Sequence, residues 1–398
     1  MAENQKLRIL MMIHRQADNS PYCFYVHEQA KALRARGHEV VVISCVGIMP
    51  MMKRLRPAQY AVAARTPKQD VIDGIPVYFP RSLTLGNAGE RFLGGRLLAA
   101  AALPIAKRLH KEKPFDIVHA HMLPRDGHAG MLVARALGVP FALTVHGTDI
   151  FHYFIPGQTP WARNQKIARE ADALMAVSSL LMSRVAPYRG EGKVTRIVPN
   201  GVDMSLVPEN TTNIPRSVIS VGTLKARKCM DRTLEAFARL AGEFPDARLT
   251  IVGIGDMEAQ LRARIKELGL EGRAVLTGGL PHEEVLRRMG ECDLFVLPSW
   301  GEGYGIVYIE AMAAGCIAVG ALGEGIEDTI KDGENGFLVP AGDVDATERV
   351  MREVFRNRET NAALRKKGRE DARKLTWAHN AETVEGIYHE VLRRHDHA

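Results

Sequence analysis

Cysteine is scarce in this 398-residue chain, and none of it is paired in sequence. The five residues, Cys23, Cys45, Cys229, Cys292 and Cys316, form no C-x-x-C, which excludes a disulfide framework or a zinc ribbon and implies reduced thiols. Long hydrophobic runs are also missing. The longest, Leu97 to Ala106, is ten residues and contains Pro104, whereas about 20 are needed to span a bilayer. The opening MAENQKLRILMMIH passes straight into a strand-like segment without an apolar signal region, so the expected location is the cytoplasm. No RNP, zinc-finger or comparable nucleic-acid motif occurs, and no sequence repeat links the two halves.

What is present is an ordinary folded composition, 46% hydrophobic and 25% charged, on a chain long enough for two domains. Charge is divided unevenly. Residues 1–205 carry 27 Lys and Arg against 15 Asp and Glu, whereas the remainder carries 26 against 31. In the basic half, cations lie beside apolar residues in MMKRLRP (51–57) and RLLAAAALPIAKRLHKEK (96–113). Either a solvated helix face or a contact with anionic lipid at the inner face of a membrane fits that pattern.

Hydrophobic periodicity predicts α/β architecture twice over. In the first half LRILMMI (7–13), EVVVIS (39–44), DIVHAH (116–121), FALTVHG (141–147), ALMAVS (173–178) and KVTRIVPNG (193–201) read as strands alternating with amphipathic helices. Prolines and polar residues over 207–216 break the rhythm and predict a linker. A second series follows, with SVISVG (217–222), RLTIVG (248–253), AVLTG (274–278), DLFVLPS (293–299) and IAVG (317–320) as strands. The predicted domains are 1–206 and 217–375, with a last helix over 376–398 returning to the first. Two doubly wound domains facing a central cleft would place ligands at the carboxyl ends of their strands.

The stretch SWGEGYGIVYIEAMAAG (299–315) carries the most chemistry. Glu302 lies among Gly301, Gly303 and Gly305, where the chain can bring main-chain N–H groups to a helix start, suited to phosphate or hydroxyl-rich ligands. Glu310 follows one turn inside that helix among small and apolar neighbours, which calls for a partner. GTLKARKC (222–229) sets Arg227 and Lys228 after a strand, where a diphosphate could be gripped. IVGIGD (251–256) is a G-x-G too incomplete for a dinucleotide fingerprint, since Glu258 stands at its third position. TVHGTD (144–149) and PNGVD (199–203) end strands in the first half. Asp343 and Asp345 form a D-x-D that helix capping explains better than a metal.

Taken in order, H-G-x-D, P-N-G-V-D, the Arg-Lys loop and Glu302-x7-Glu310 resemble the motifs of retaining glycosyltransferases of family 4, including the E-G-[FY]-G-x-x-x-x-E-A-M-A-x-G pattern. The resemblance implies the GT-B fold, two Rossmann-like domains, and transfer of a sugar from a nucleotide-diphosphate sugar, with UDP the expected nucleotide, to a carbohydrate or lipid-linked acceptor in surface polysaccharide or glycolipid synthesis. Catalytic roles fall by resemblance to His146, Asp149, Lys228 and Glu302. Donor contacts fall to Gly222, Arg227, Lys228, Leu280, Gly303, Tyr304, Gly305, Ile306, Glu310 and Asn200. Cations and helix-end amides stand in for a metal, so no metal or other cofactor is implied. Departures occur at Thr223 and at Cys229, where most relatives have Gly, and at Ser20-Pro21-Tyr22, where Pro21 has no N–H to offer a phosphate. An NAD-dependent oxidoreductase, a GT-B epimerase or phosphorylase, and a non-catalytic sugar-nucleotide binder share parts of this pattern.

Overall fold

Strands this apolar must be covered on both faces, and parallel pairing with crossover helices does so. In a computed structural model of the chain, which describes residues 5–14, 22–49, 51–84, 86–157, 160–209 and 212–396, two compact units form, one from residues 1–199 and 377–398 and the other from 200–376. Ser20 and Pro21 of the helix entry lie outside the described residues.

The first unit contains β1 (Arg8–His14), β2 (Glu39–Ile48), β3 (Gln69–Ile72), β4 (Ile75–Tyr78), β5 (Arg81–Leu83), β6 (Ile117–His121), β7 (Phe141–Val145), β8 (Ala173–Ala176) and β9 (Val194–Ile197). Their order across the sheet is β3-β4-β2-β1-β6-β7-β8-β9, with β5 also on β2. All pairs are parallel except the β3–β4 hairpin. In β1 every residue from Arg8 to Ile13 is buried. The helix Phe24–Ala35 turns its Val26, Ala30 and Leu33 onto that sheet and stops at Gly37, whose φ of 95° suits glycine.

The second unit contains β10 (Ile214–Val221), β11 (Arg248–Val252), β12 (Ala274–Gly278), β13 (Cys292–Val296), β14 (Ile317–Ala321) and β15 (Phe337–Val339). These form a wholly parallel sheet in the order β12-β11-β10-β13-β14-β15. Where the sequence pattern predicts a linker over 207–216, Ile214 already opens β10. The division between units falls at Pro199 and Asn200, so Asn200 lies with the second unit and not the first. Both sheets wind outward in two directions, from β1 and β6 in one and from β10 and β13 in the other. Each therefore has a switch point at which the loops diverge and leave a crevice.

The final helix, Trp377–Asp396, completes the first unit. Its Ala381, Val384, Tyr388 and Val391 join the apolar core with Ile9, Met11 and Leu33. Gln29 Nε2 donates to Asn380 Oδ1 at 2.8 Å, and Arg36 pairs with Glu385. Fully burying a side chain such as Tyr388 contributes ~2–3 kcal/mol.

Candidate functional site

At the switch point of the second unit, β10 delivers Gly222 and the loop to Lys228, and β13 delivers the loop to Glu302. The Trp300 N–H donates to the Arg227 carbonyl at 2.9 Å and ties the two loops together. Across that junction Lys228, only 7% exposed, donates from Nζ to Glu302 Oε2. Arg227 Nη1 lies 3.6 Å from the same oxygen and 3.4 Å from the Gly301 carbonyl. Two adjacent cations and one carboxylate thus converge where α/β units bind ligands. Cys229 sits at φ 51°, the left-handed conformation that glycine adopts without cost, so a Gly at this position would be free of backbone strain.

The G-x-G of the next turn has a packing explanation. A Cβ at Gly253 would meet the Gly222 carbonyl oxygen at 1.9 Å, and one at Gly255 the Leu224 oxygen at 2.4 Å. Both glycines let this turn lie against the loop that carries Arg227 and Lys228, so their role is to support it.

Glu324, which the sequence pattern does not single out, closes the glycine-rich loop from the other side. Its two carboxylate oxygens accept from the Gly301 and Glu302 N–H groups at 2.9 and 2.6 Å, and the Gly325 N–H returns a bond to the Glu302 carbonyl at 3.1 Å. Burial raises the Glu324 carboxyl above its ordinary range; the two amides oppose the shift and the Glu302 charge reinforces it. The amides of residues 301 and 302 are therefore committed. A ligand anion would have to use those further on, toward Tyr304, Gly305 and Ile306, where the helix Ile306–Ala314 begins.

Glu310 is 7% exposed in that helix, and its Oε1 lies 2.8 Å from His282 Nε2. His282 opens the helix after β12, next to partly buried Leu280, and is a second residue that sequence reasoning passed over. Tyr304 is 2% exposed, with its hydroxyl 3.1 Å from Thr329 Oγ1. Any donor contact from Tyr304 consequently uses its main chain. Asp343 caps the helix Val344–Arg356 by accepting the Ala346 N–H at 2.9 Å, and Asp345 pairs with Arg239.

In the first unit, β6 and β7 end in a stack of imidazoles. The His121 ring lies 4.2 Å from that of His119 and 5.4 Å from that of His146, and His121 Nδ1 is 3.1 Å from His146 Nε2. Tyr25 stacks on His146 at 4.1 Å. His119 is fixed by Tyr388 Oη at 2.7 Å and Thr144 Oγ1 at 2.8 Å. Burial pushes His119 and His146 down to about 3 and His121 well below its ordinary value, so all three rings are neutral near pH 7.

Asp149, given a catalytic role by resemblance, is enclosed by main-chain donors. It is 1% exposed, and its carboxylate accepts the N–H groups of Leu123 (3.0 Å), His146 (3.1 Å) and Gly147 (2.8 Å). Such a carboxylate shapes the turn that carries His146; it positions His146 and does not itself reach solvent. At the β1–β6 switch point His14 Nδ1 lies 2.6 Å from Asp126 Oδ2, inside a π-helical turn, Leu123–Gly127, of the kind often found at functional sites. No sequence motif marked that pair.

Comparison with known proteins agrees with this geometry. A family profile described as glycosyl transferase 4-like domain matches residues 24–201, and one described as glycosyl transferases group 1 matches 208–371. The glycogen synthase of Mycobacterium tuberculosis is 26% identical over 378 residues, covering 90% of this chain and 87% of its own. A GDP-mannose-dependent alpha-(1-6)-phosphatidylinositol monomannoside mannosyltransferase of Mycolicibacterium smegmatis is 28% identical over 258 residues, covering 60% and 67%. Anabaena HepE, solved in complex with UDP and glucose, superposes with a TM-score of 0.70 at 18% identity, covering 95% of this chain and 98% of that one. With both units matched and the paired-carboxylate loop at a switch point, the chain belongs to the family 4-type glycosyltransferases of GT-B fold.

Proposed function

We propose that this glycosyltransferase is retaining and metal-independent, takes a UDP-sugar, and serves the synthesis of a cell-surface polysaccharide or glycolipid. The observation that carries the reading is the convergence of Arg227, Lys228 and Glu302 at the β10–β13 switch point. An ammonium has three donors, and the Glu302 contact uses one. The others suit a diphosphate, with the Arg227 guanidinium and the amides at the start of the helix Ile306–Ala314 completing the charge stabilisation. Glu302 would accept from sugar hydroxyls and Glu310, steadied by His282, from ribose hydroxyls.

In a front-face step the acceptor oxygen bonds to the anomeric carbon as the bond to the phosphate oxygen breaks, and that phosphate oxygen takes the acceptor's proton. The UDP choice is supported by the HepE complex, whereas the mannosyltransferase uses GDP-mannose by its name. The deciding experiment is therefore a panel of UDP-, GDP- and ADP-sugars, followed by NMR of the product's anomeric centre. An inverted anomer would remove retention, and turnover with GDP-sugars alone would remove UDP.

Peripheral contact with an anionic membrane is part of the same proposal. Met51 and Leu55 are 61% and 58% exposed beside Lys53, Arg54 and Arg56, and among the described residues these cations have no carboxylate partner. The second basic stretch is weaker support, because Arg108 pairs with Glu112 and Lys113 with Glu39. No helix among the described residues is long and apolar enough to cross a membrane. Binding to phosphatidylglycerol liposomes should weaken with salt and in Lys53→Gln/Arg54→Gln/Arg56→Gln. Equal partitioning to neutral liposomes would defeat the idea.

A further inference from the structure

A cavity of about 750 Å³ opens in the first unit between the long helix Gly86–Glu112 and the helices His128–Leu137 and Trp161–Glu170. Among the described residues four cations line it, Arg96, Arg135, Arg163 and Lys166, and no carboxylate does. Glu170, just outside, pairs with Arg135 and lies 3.8 Å from Lys166, which leaves Arg96 and Arg163 without a countercharge among the described residues. The rest of the wall is apolar, with Phe92, Met131, Leu132 and Trp161. Phe92 is 62% exposed, an unusual place for a bare aromatic ring.

Arg163 is the telling residue. Its Nη1 donates to the Phe92 carbonyl at 2.7 Å, but its Nε and Nη2 are buried and have no hydrogen-bond partner among the described residues. Buried guanidinium donors are normally satisfied. Burial and then the neighbouring Arg96 pull this guanidinium below its ordinary range. His128, 6% exposed in the same wall, is pushed down to about 4, first by burial and then by Arg163, Arg96, Arg135 and Lys166. The cavity is thus a site of positive potential with donors to spare, against an apolar floor.

We infer that this cavity binds an anionic amphiphile: a phosphate or diphosphate head group held by Arg163, Arg96 and Lys166, with an apolar chain lying along Phe92, Leu132 and Trp161. The cations alone would suit any small anion, and the apolar wall alone any hydrophobe. Only a ligand with both parts uses the whole cavity. The inference goes beyond the sugar-transfer reading and shares no residue with the donor site of the second unit.

Calorimetric titration of the full chain tests it with three probes below their micelle concentrations: decyl phosphate, inorganic phosphate and decyl maltoside. Decyl phosphate should saturate one site, inorganic phosphate should bind at least about tenfold more weakly, and decyl maltoside should give no saturable heat. Arg96→Gln/Lys166→Gln, at exposed positions, should weaken decyl phosphate by about tenfold or more through lost charge-assisted contacts. Phe92→Ser should weaken decyl phosphate while leaving inorganic phosphate unchanged. Lys228→Met should not alter the affinity, which separates this cavity from the donor site. Equal binding of phosphate and decyl phosphate would overturn the inference. So would an affinity lost in Lys228→Met but kept in Arg96→Gln/Lys166→Gln.

Discussion

Replacing Lys228 with Met keeps most of the side-chain stem and removes only the charge. Glu302 is then left with Arg227, 3.6 Å away and 32% exposed, as its remaining cation among the described residues, while Glu324 sits on its own amide. Breaking a fully buried pair from one side costs ~3–5 kcal/mol; with Arg227 still near and Glu302 retaining some solvent, ~2 kcal/mol is expected. Glu302→Gln strands the Lys228 ammonium, whose side chain is 8% exposed, at a similar cost. The double variant carries neither charge and should return to within ~1 kcal/mol of the parent. Turnover should behave differently: both single variants and the double lose ~10²–10³ in kcat, because the group that stabilises the leaving diphosphate is missing or misplaced in each. Urea unfolding followed by tryptophan fluorescence gives the first quantity and nucleotide release the second. Single variants as stable as the parent, or a double variant that recovers turnover together with stability, would refute the argument.

Acid should destabilise the first unit through its imidazole stack. His119 and His146 titrate at about 3 in the fold against ~6.5 unfolded, so falling pH protonates the unfolded chain first and ~2 kcal/mol per ring is lost between pH 7 and 5. Flat stability over that range, measured by urea titration, would contradict it. Cys229→Gly should raise stability by up to ~1 kcal/mol by relieving the left-handed backbone, read as a higher unfolding midpoint. Sugar transfer should persist in excess EDTA, and restoration by Mg²⁺ or Mn²⁺ after loss would reassign Asp343 and Asp345. Glu324→Gln, which keeps shape but supplies one acceptor oxygen for two amides, should loosen the glycine-rich loop and raise the donor KM more than it lowers kcat.

Apolar strands were legible because burial on both faces leaves continuous runs: β1, β2, β7, β8 and β14 begin within one residue of the positions periodicity gives. The segment from Met52 to Leu83 was not, because its short helices and the half-exposed β3–β4 hairpin lack a sustained period. In the site, Glu302, Glu310, Arg227 and Lys228 were legible by local spacing. Glu324 was invisible for the opposite reason: it reaches Gly301 and Glu302 only because β14 lies beside β13. His282 stands two residues after Leu280, yet its contact with Glu310 depends on two helices lying side by side. Asp149 was legible as part of a motif while its surroundings were not, since the three N–H groups its carboxylate accepts are set by the fold and not by local spacing.

The return of the helix Trp377–Asp396 to the first unit has a consequence for synthesis on the ribosome. The first unit lacks Ala381, Val384, Tyr388 and Val391 of its core until everything from Asn200 to Thr376 has been translated. At roughly 5–20 residues per second that is a delay on the order of ten to thirty-five seconds, during which the second unit can finish folding while the earlier-made one still exposes the apolar seat of its last helix. A nascent chain paused before Trp377 should therefore be a chaperone client through its N-terminal half, and a premature stop there should damage the part of the protein that was made first.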